Sequence, residues 1–440
     1  MADRIITFQY AKDNYDAYKK QTIPASNECM TKADVNTYLN ADMSILSSYT
    51  NNQLVPRTKI SPLEQILTGG FNNEVSGMVL QSDGKIVVVG YFSQFNTVTT
   101  NYIIRLNSDG SVDTSFNIGS GFNNFSYGIV QQTDGKFVII GAFTSYNGVS
   151  ANNIIRLNLD GSVDTSFNIG SGFNDTPTKI AIQYDNKVII TGSFTSYNGS
   201  PINRIIRLNS DGTRDTSFNP GSGFSSGSGF NGLGVLSNGQ IIVSGGFDRY
   251  NGAVCPMMIK LNSNGTRDTS FKFNRTVTSS KYITAIHITL DLINGLDEIT
   301  VATYDALINF SFLERYSYNG NLTNGILYSN SSTNSVNGAI TAIHLLKSKP
   351  VDLYLVSGLF TELHTLSGNN IPANRIIRID VNGNKDNTFN YGTGFSGSTI
   401  GARVIIFQTD GKYLLGGSFT SYNGTTADRI LRLNQDGTRG

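Results

Sequence analysis

One eleven-residue segment occurs twice in this chain without a change. The segment DTSFNIGSGFN spans Asp113–Asn123 and recurs at Asp164–Asn174, and softer copies begin at Asp215, Asp268 and Asp386. Each copy of such a repeat is a small unit that needs its neighbours to bury a hydrophobic face. The chain is therefore expected to fold as a repeat array and not as a set of unrelated domains.

The repeated unit predicts four short antiparallel strands. Apolar runs flank Asp134-Gly135 and again Asp160-Gly161, and Asp-Gly between apolar runs is a strong signal for a tight hairpin. A basic residue of the third strand recurs at spacings of 51, 51, 53, 55, 63 and 54 residues, which counts seven units: Arg105, Arg156, Arg207, Lys260, Arg315, Arg378 and Arg432. This pattern predicts an all-β fold, a seven-bladed β-propeller of four-stranded antiparallel blades over residues 60–440.

The ends of the array favour a closed ring. A solenoid is the alternative, but it normally needs distinct polar capping repeats, and the sequence shows none. The last unit reaches residues 436–440 where its fourth strand is expected to begin, and residues 60–67 stand in the place of a fourth strand before the first unit. We predict that residues 60–67 complete the last blade and remove its exposed edge. Deleting residues 1–68 is then expected to lower the melting temperature sharply.

Residues 1–59 do not repeat and are predicted to be a docking or anchor segment. Thr31 and Asp34 fit a capping box ahead of apolar residues at helical spacing, which predicts a short helix over about 32–47. A segment this small cannot bury a core alone. We therefore expect it to dock on the propeller or on another protein.

Composition narrows the function classes. Charged residues make up 15% of the chain and the formal net charge is +1, so no electrostatic footprint for nucleic acid is expected. No apolar run approaches the roughly 18 residues of a membrane span, and no secretory signal precedes the repeats. Cys29 and Cys255 are far apart, and the three histidines have no metal-ligand spacing. We predict no disulfide, no metal and no cofactor, and assembly in a cytoplasm.

The best binding candidates are tyrosines that precede Asn-Gly in the loop between the second and third strands. That loop and the connection to the next blade emerge on one face, where Tyr, Phe, Asn, Ser and Gly gather. Aromatic rings stack on the apolar faces of sugars while amides and hydroxyls bond them. The predicted ligand-binding residues are Tyr146, Tyr197, Tyr250 and Tyr422. The alternative is that each ring packs locally and shapes its own loop.

Other repeated residues favour structural roles. Asp109-Gly110 lacks the spacing of a calcium loop and fits a tight turn. The repeated arginines are expected to hold each blade by pairing with an aspartate and packing their stems. No catalytic residue is predicted, because no nucleophile elbow or clustered histidine is present. Asp297 and Glu298, in the irregular fifth unit, are the carboxylates to examine first for glycoside cleavage.

Two resemblances bear on identity. The pattern Q-x-D-G-K, G-x-F-T, I-x-R-L-N-x-D-G-S and D-x-x-F resembles the delta-60 repeat, a β-propeller repeat of bacterial and phage proteins, over about residues 61–440. This resemblance implies the propeller fold and no particular reaction. Residues 28–32, 46–49 and 52–55 are similar to short segments of virion proteins from phages of Bacteroidetes, including crAss-like phages.

These observations lead to the hypothesis of a non-enzymatic virion protein, a tail- or capsid-associated appendage assembled in the host cytoplasm. Residues 1–59 are expected to anchor it to other virion proteins, and the propeller to bind a protein or a host-surface glycan. Several copies within one particle would bind at the same time, so that individually weak contacts give a high overall affinity. Units five and six are the least regular and are where a specific contact is expected. The alternatives are a bacterial cell-surface or secreted glycan-binding propeller and a glycan-cleaving propeller enzyme.

Overall fold

The fold is built from a three-stranded antiparallel meander that repeats along the chain. The computed structural model describes residues 49–50, 53–54, 70–225, 228–255, 257–273, 281–291, 296–327, 334–347, 351–365, 370–397 and 400–440. Within these residues all regular structure is β, which confirms the predicted all-β class for this part of the chain. Seven meanders follow one another there, and we number them units one to seven.

The three strands of each unit pair in chain order, with the second strand in the middle. The first strands are Val75–Leu80, Ser126–Gln131, Pro177–Ile182, Ser228–Val235, Lys281–Asp291, Ile340–Leu346 and Ala402–Phe407. The second strands are Ile86–Gly90, Phe137–Gly141, Val188–Gly192, Ile241–Gly246, Leu296–Asp305, Leu353–Gly358 and Tyr413–Gly417. The third strands are Ile103–Leu106, Ile154–Leu157, Ile205–Leu208, Met258–Leu261, Phe310–Ser317, Ile376–Asp380 and Ile430–Leu433.

The strands form where short apolar runs lie between tight turns. Phe137–Gly141 is buried at every position, as expected of a continuous apolar run in the middle of a sheet. The turn at Asp160-Gly161 is closed by a bond from Ser162 N to Asp160 Oδ1 (3.0 Å). Gly161 adopts a φ of 85° there, a conformation that costs glycine little. The hairpins predicted at the Asp-Gly pairs are confirmed.

The fourth strand is shorter than predicted. In unit two it is reduced to a single bridge between Leu157 and Val163, and the same bridge recurs in the other regular units. The following segment is a turn, because Asp164 Oδ1 accepts a bond from Ser166 N (3.0 Å) and Asp164 O accepts one from Phe167 N (3.2 Å). These local bonds draw the chain away from the sheet edge. Among the described residues, a full fourth strand, Leu322–Leu327, occurs in unit five only.

A small hairpin projects from the second-to-third connection of six units. Its first strands are Gln94–Phe95, Ser145–Tyr146, Ser196–Tyr197, Arg249–Tyr250, Glu362–His364 and Ser421–Tyr422. Its second strands are Val98–Thr99, Val149–Ser150, Ser200–Pro201, Ala253–Val254, Asn370–Pro372 and Thr425–Thr426. Phe395–Ser396 adds a third strand in unit seven. In unit five, Ser335–Asn337 instead pairs with the third strand and with the hairpin of unit six.

The units pack side by side in chain order. The first strand of each unit contacts the first strand of the next, and that of unit seven contacts that of unit one. A bulge in these strands aims polar side chains at the next unit: Ser76 Oγ donates to Ser126 O (2.6 Å), and Asn231 Nδ2 donates to Ile283 O (2.7 Å). These bonds satisfy backbone carbonyls between the sheets and join the units.

Units one and seven meet in the same way as consecutive units. Phe71 N donates to Asp428 O (3.0 Å), as Phe122 N donates to Asn101 O (3.1 Å) between units one and two. Ser418 Oγ also donates to Glu74 Oε2 (2.6 Å). The two ends of the array are therefore in direct contact.

Two predictions fall on residues outside those described. These are the helix over about 32–47 and the strand at 60–67 that was expected to complete the last unit. In unit seven, Arg439 forms the bridge to Leu433 that Val163 forms to Leu157 in unit two. Ahead of the units, Tyr49–Thr50 pairs with Gln53–Leu54. None of the described residues belongs to a helix long and apolar enough to cross a membrane.

Candidate functional site: a tyrosine-lined cleft between units five and six

The repeated basic residue and the Asp of the sequence motif form one ion-pair cluster in each of units one to four and in unit six. In unit two, Asp164 Oδ2 accepts bonds from Arg156 Nε (2.7 Å) and Lys136 Nζ (2.8 Å). The guanidinium of Arg156 lies 4.7 Å from the ring centre of Phe167. Both charged partners of the pair are buried. The prediction that the arginines hold their blades by pairing with an aspartate is confirmed.

The same cluster joins neighbouring units. Arg156 Nη1 donates to Ser210 O in the turn of unit three, and Arg105 Nη1 donates to Leu159 O in unit two. The equivalent pairs are Arg105–Asp113, Arg207–Asp215, Lys260–Asp268 and Arg378–Asp386, at 2.6 to 3.1 Å. Each motif residue thus has a structural partner. We conclude that three parts of the repeat act together to stabilise each unit: the D-x-x-F motif, the D-G-K motif and the basic residue of the third strand.

These contacts set the charge state of the aspartates. Burial acts to raise the pKa of Asp164, but hydrogen bonds from Lys136 and Ser166 and the charge of Arg156 outweigh it and hold the pKa far below the usual range. For Asp268, which pairs with a lysine, the opposing effects lower the pKa to about 2. These aspartates are therefore ionised at neutral pH.

The four loop tyrosines lie in the core. Tyr146, Tyr197, Tyr250 and Tyr422 are each 1–2% exposed. The hydroxyl of Tyr146 donates to Gly161 O (2.8 Å), and its ring lies 4.7 Å from that of Phe122. The other three hydroxyls donate to the carbonyls of Gly212, Gly265 and Gly437. The prediction that these rings contact a ligand does not fit this placement, whereas the alternative of local packing does.

Unit five departs from the repeat at one glycine. In unit two a Cβ on Gly141 would lie 2.3 Å from Phe125 O, so only glycine fits where the second strand ends before its hairpin. The register of unit five places Thr303 at this position, opposite Ile283. The strand runs on to Asp305 and turns back at once into Phe310. The loop face above unit five therefore lacks the hairpin that covers its neighbours.

A cleft of about 480 Å³ opens where that hairpin is missing. Its volume lies in the usual range for small-molecule sites. It is lined by residues of units five and six: Tyr282, Tyr304, Asn309, Asn337, Gly338, Ala339, Leu359, Thr361 and Arg375. Such a lining combines aromatic and aliphatic surface with amide, hydroxyl and guanidinium groups.

Two tyrosines form the aromatic wall of the cleft. Tyr282 and Tyr304 are cross-strand partners, and their rings meet edge to face at 5.5 Å. Tyr304 Oη donates to Asn309 Oδ1 (2.7 Å), whereas the side chain of Tyr282 is 40% exposed. Burial, with a smaller contribution from Tyr304, raises the pKa of Tyr282, so its phenol is a neutral donor at physiological pH.

Sequence reasoning missed these two tyrosines. It singled out units five and six as irregular, but not the residues that form the cleft. An alignment of the units on the repeated glycine could have found them. The pair that flanks this glycine is Phe125 and Ala142 in unit two, whereas in unit five both members are tyrosine. In unit six the pair is Ala339 and Leu359, which form the opposite side of the cleft.

The two carboxylates of unit five do not converge. Asp297 is buried, and its Oδ2 accepts bonds from Ser237 N and Oγ (2.8 Å each). Glu298 lies next to it on the strand and therefore points to the other face of the sheet. There it pairs with Lys347 (2.8 Å) and Arg315 (3.4 Å). Neither residue lines the cleft, so the pair does not form the paired acids of a glycosidase.

Glu298 instead replaces the missing aspartate of unit five. Glu298 occupies the position of the D-G-K lysine in unit five, and Glu298 and Asp352 of unit six both contact Arg315 at 3.4 Å. The tyrosine hydroxyl of Tyr354 bonds the same guanidinium (2.8 Å to Nε). Arg315 thus keeps carboxylate partners although the aspartate of the motif is missing. No group of three or more His, Cys, Asp and Glu side chains suited to a metal ion occurs among the described residues.

Comparison with known families agrees with this architecture. Six segments match a family profile described as "Domain of unknown function (DUF5122) beta-propeller": residues 81–116, 132–167, 183–218, 236–271, 354–389 and 408–439. The chain is a β-propeller repeat protein. Five of the six matched segments begin at the turn before the second strand, the one in unit six begins within that strand, and none of them covers unit five. No curated protein is significantly similar to the sequence.

Solved propeller structures are similar at low identity. The Dos1 propeller is 9% identical, with a TM-score of 0.33 over 84% of this chain and 89% of that one. An endo-1,5-α-L-arabinanase from Thermotoga petrophila is 12% identical, with a TM-score of 0.27 over 83% of this chain and 92% of that one.

Proposed function

We propose that this propeller is a non-enzymatic binding module that holds a saccharide in the cleft between units five and six. We further propose that its units form one seven-bladed ring, displayed on a phage virion through residues 1–59. The observation that carries the binding function is the cleft itself. It lies where a covering hairpin is lost and where tyrosine occupies both positions of the pair that flanks the repeated glycine, a pair that is Glu74 and Tyr91 in unit one and Phe125 and Ala142 in unit two.

The chemistry of the lining favours a saccharide. A pyranose ring presents apolar C–H faces and a rim of hydroxyls, and Tyr282 and Leu359 offer matching apolar surface, each 40% exposed. The side chains of Asn309 and Thr361 lie on the same cleft and supply donors and acceptors. Rigid aromatic residues lose little conformational entropy on binding. A shallow, mixed surface of this kind suits a neutral polar partner better than an apolar one.

A binding experiment tests the cleft. The full chain is applied to a glycan array, and the affinity of the best ligand is measured by calorimetry for the wild type, Tyr282→Ala and Tyr304→Ala. Loss of one stacking ring is expected to weaken binding at least about tenfold. Tyr184→Ala is the matched control, because Tyr184 is 50% exposed but lies in the first-to-second strand turn of unit three. Equal loss in the control, or no loss in either cleft variant, would contradict the proposal.

The virion role is tested by localisation. The motivation is the resemblance of residues 28–32, 46–49 and 52–55 to short segments of phage virion proteins, together with the contacts that hold units one and seven together and would suit a rigid display disc. An antibody against residues 61–440 is applied to purified particles and to intact host cells. Labelling at one place on the particles is expected. Labelling of uninfected cells, with none on particles, would instead favour the bacterial surface protein.

A further inference from the structure

Arg375 occupies a repeated backbone position that precedes the third strand. In five units this position holds a left-handed residue whose N–H bonds a Phe carbonyl. Arg375 has a φ of 66° and donates from N to Phe360 O (2.8 Å). The equivalents are Tyr102, Asn153, Arg204 and Arg429, with φ values from 65° to 74°. The backbone role of this position is therefore independent of the side chain.

The guanidinium of Arg375 also has a structural bond that recurs. Its Nη1 donates to Phe395 O (3.2 Å), as Arg204 Nη1 donates to Phe224 O (3.2 Å). Unlike Arg204, Arg375 lines a cleft, and its Nε is buried without a hydrogen-bond partner among the described residues. A buried donor without a partner costs free energy, roughly 1–3 kcal/mol. A ligand oxygen could bond Nε once the side chain turns it towards the cleft, and that bond would recover the cost.

The charge of the cleft has one source. Of the nine lining residues, Arg375 is the one with a formal charge, and the others are neutral. No acidic side chain of the described residues forms an ion pair with Arg375, whereas Arg429 lies 3.6 Å from Asp428. The edge of a guanidinium that contains Nε matches the two oxygens of a carboxylate. The cleft thus places the rings of Tyr282 and Tyr304 in the same lining as the planar, positively charged guanidinium of Arg375.

We propose that the cleft selects acidic saccharides, with a sugar carboxylate bonded to Arg375 and the sugar ring against Tyr282. This inference rests on the proposed saccharide binding and deepens it by naming the ligand class. Uronic acids and sialic acids share the required chemistry, a pyranose ring that bears a carboxylate. Simple neutral sugars would leave Nε unsatisfied and bind more weakly.

The test compares ligands that differ in one charge. The full chain is titrated with a galacturonic acid oligosaccharide and with its methyl ester, and in parallel with sialyllactose and lactose. A charge-assisted bond predicts that at least one acidic form binds about tenfold tighter or more than its neutral counterpart. The preference is expected to shrink as salt is raised, because the contact is partly exposed to solvent. The pair that shows the preference identifies the source of the carboxylate.

The variant is chosen so that the fold survives. Arg375→Asn has an internal precedent, because Asn153 occupies the same position of unit two with a φ of 68°. Arg204→Asn is the matched control, since it removes the same carbonyl bond in a unit without the cleft. We expect Arg375→Asn to bring the acidic and neutral forms to within about twofold of each other, and Arg204→Asn to keep the wild-type preference.

The outcomes separate the two proposals. Equal binding of acidic and neutral forms, with binding still lost in Tyr282→Ala, would overturn the selection by Arg375 and leave the saccharide site standing. A preference that survives in Arg375→Asn would also overturn it. If none of the four ligands binds and the glycan array is blank, saccharide binding itself fails, and this inference fails with it.

Discussion

Replacing Asp164 by Asn tests whether the ion-pair cluster joins the units. The substitution keeps the size of the side chain and an oxygen for Ser166, but it removes the charge opposite Arg156. The side chain of Arg156 is 6% exposed, so its charge would be left buried with no carboxylate. Removing one partner of a buried pair costs about 3–5 kcal/mol. The lysine partner is more exposed, at 29%, and adds less.

Hydrogen exchange is the suitable assay, because repeat proteins open locally and a single unfolding free energy is poorly defined for them. A loss of about 3 kcal/mol corresponds to roughly two orders of magnitude in the exchange rate of protected amides. We expect this acceleration in the second and third strands of unit two. Unit three should follow, because Arg156 also bonds Ser210 O there. Units five and six should change little.

Asp160→Asn is the matched control. Asp160 is exposed in the adjacent turn, and unit four already carries Asn264 at that position, where its Oδ1 accepts a bond from Thr266 N (3.1 Å). Its exchange pattern should match that of the wild type. If Asp164→Asn exchanges no faster than Asp160→Asn, the charge contributes nothing, and the cluster stabilises the units by packing alone.

Three further predictions follow from individual side chains. The pKa of Asp113 and Asp215 is held well below that of an unfolded aspartate, so the stability that they contribute is present above about pH 4 and is lost as the pH falls below it. The melting temperature should therefore drop steeply below pH 4, and a constant melting temperature down to pH 2.5 would contradict this. Tyr146→Phe removes the bond to Gly161 O and should lower the free energy of local opening of unit two by about 0.5–1.5 kcal/mol, measured by hydrogen exchange, without changing binding at the proposed cleft. Weakened binding would return this ring to the ligand site. Burial raises the pKa of the Cys255 thiol to about 11. In a Cys29→Ser protein, Cys255 should therefore react with iodoacetamide at pH 8 only after unfolding. Fast reaction of the native protein would refute the burial of Cys255.

The repeat let the sequence predict the framework because each element is local. Asp-Gly turns, apolar runs and the spacing of the arginines all act within one unit, and the structure has each of them. The pairing of Arg156 with Asp164 was also predictable, since the two residues are eight positions apart in one hairpin. The shortened fourth strand was not, because its loss depends on whether Asp164 bonds its own turn or continues the ladder.

The sites depend on contacts that a sequence does not display. Tyr146 precedes Asn-Gly in a loop and therefore resembles an exposed residue, yet its hydroxyl reaches Gly161, fifteen positions onward. Tyr282 and Tyr304 are 22 positions apart, and only the strand register makes them partners. Their role further depends on Thr303, which replaces a glycine and removes the hairpin above them.

The regular units and the cleft illustrate one physical argument about where a propeller can acquire a ligand. In a regular unit the recurring polar groups already have partners: the arginine is bonded to its aspartate and to the next unit, and the loop tyrosine is bonded to a carbonyl. A ligand there would have to displace intramolecular bonds, which costs more than it returns. In unit five, the loss of one hairpin exposes an aromatic pair, and in unit six it leaves Arg375 Nε buried beside the opening without a partner. If the proposed function holds, departures from the repeat, and not the repeated residues, mark the surface on which binding energy is available.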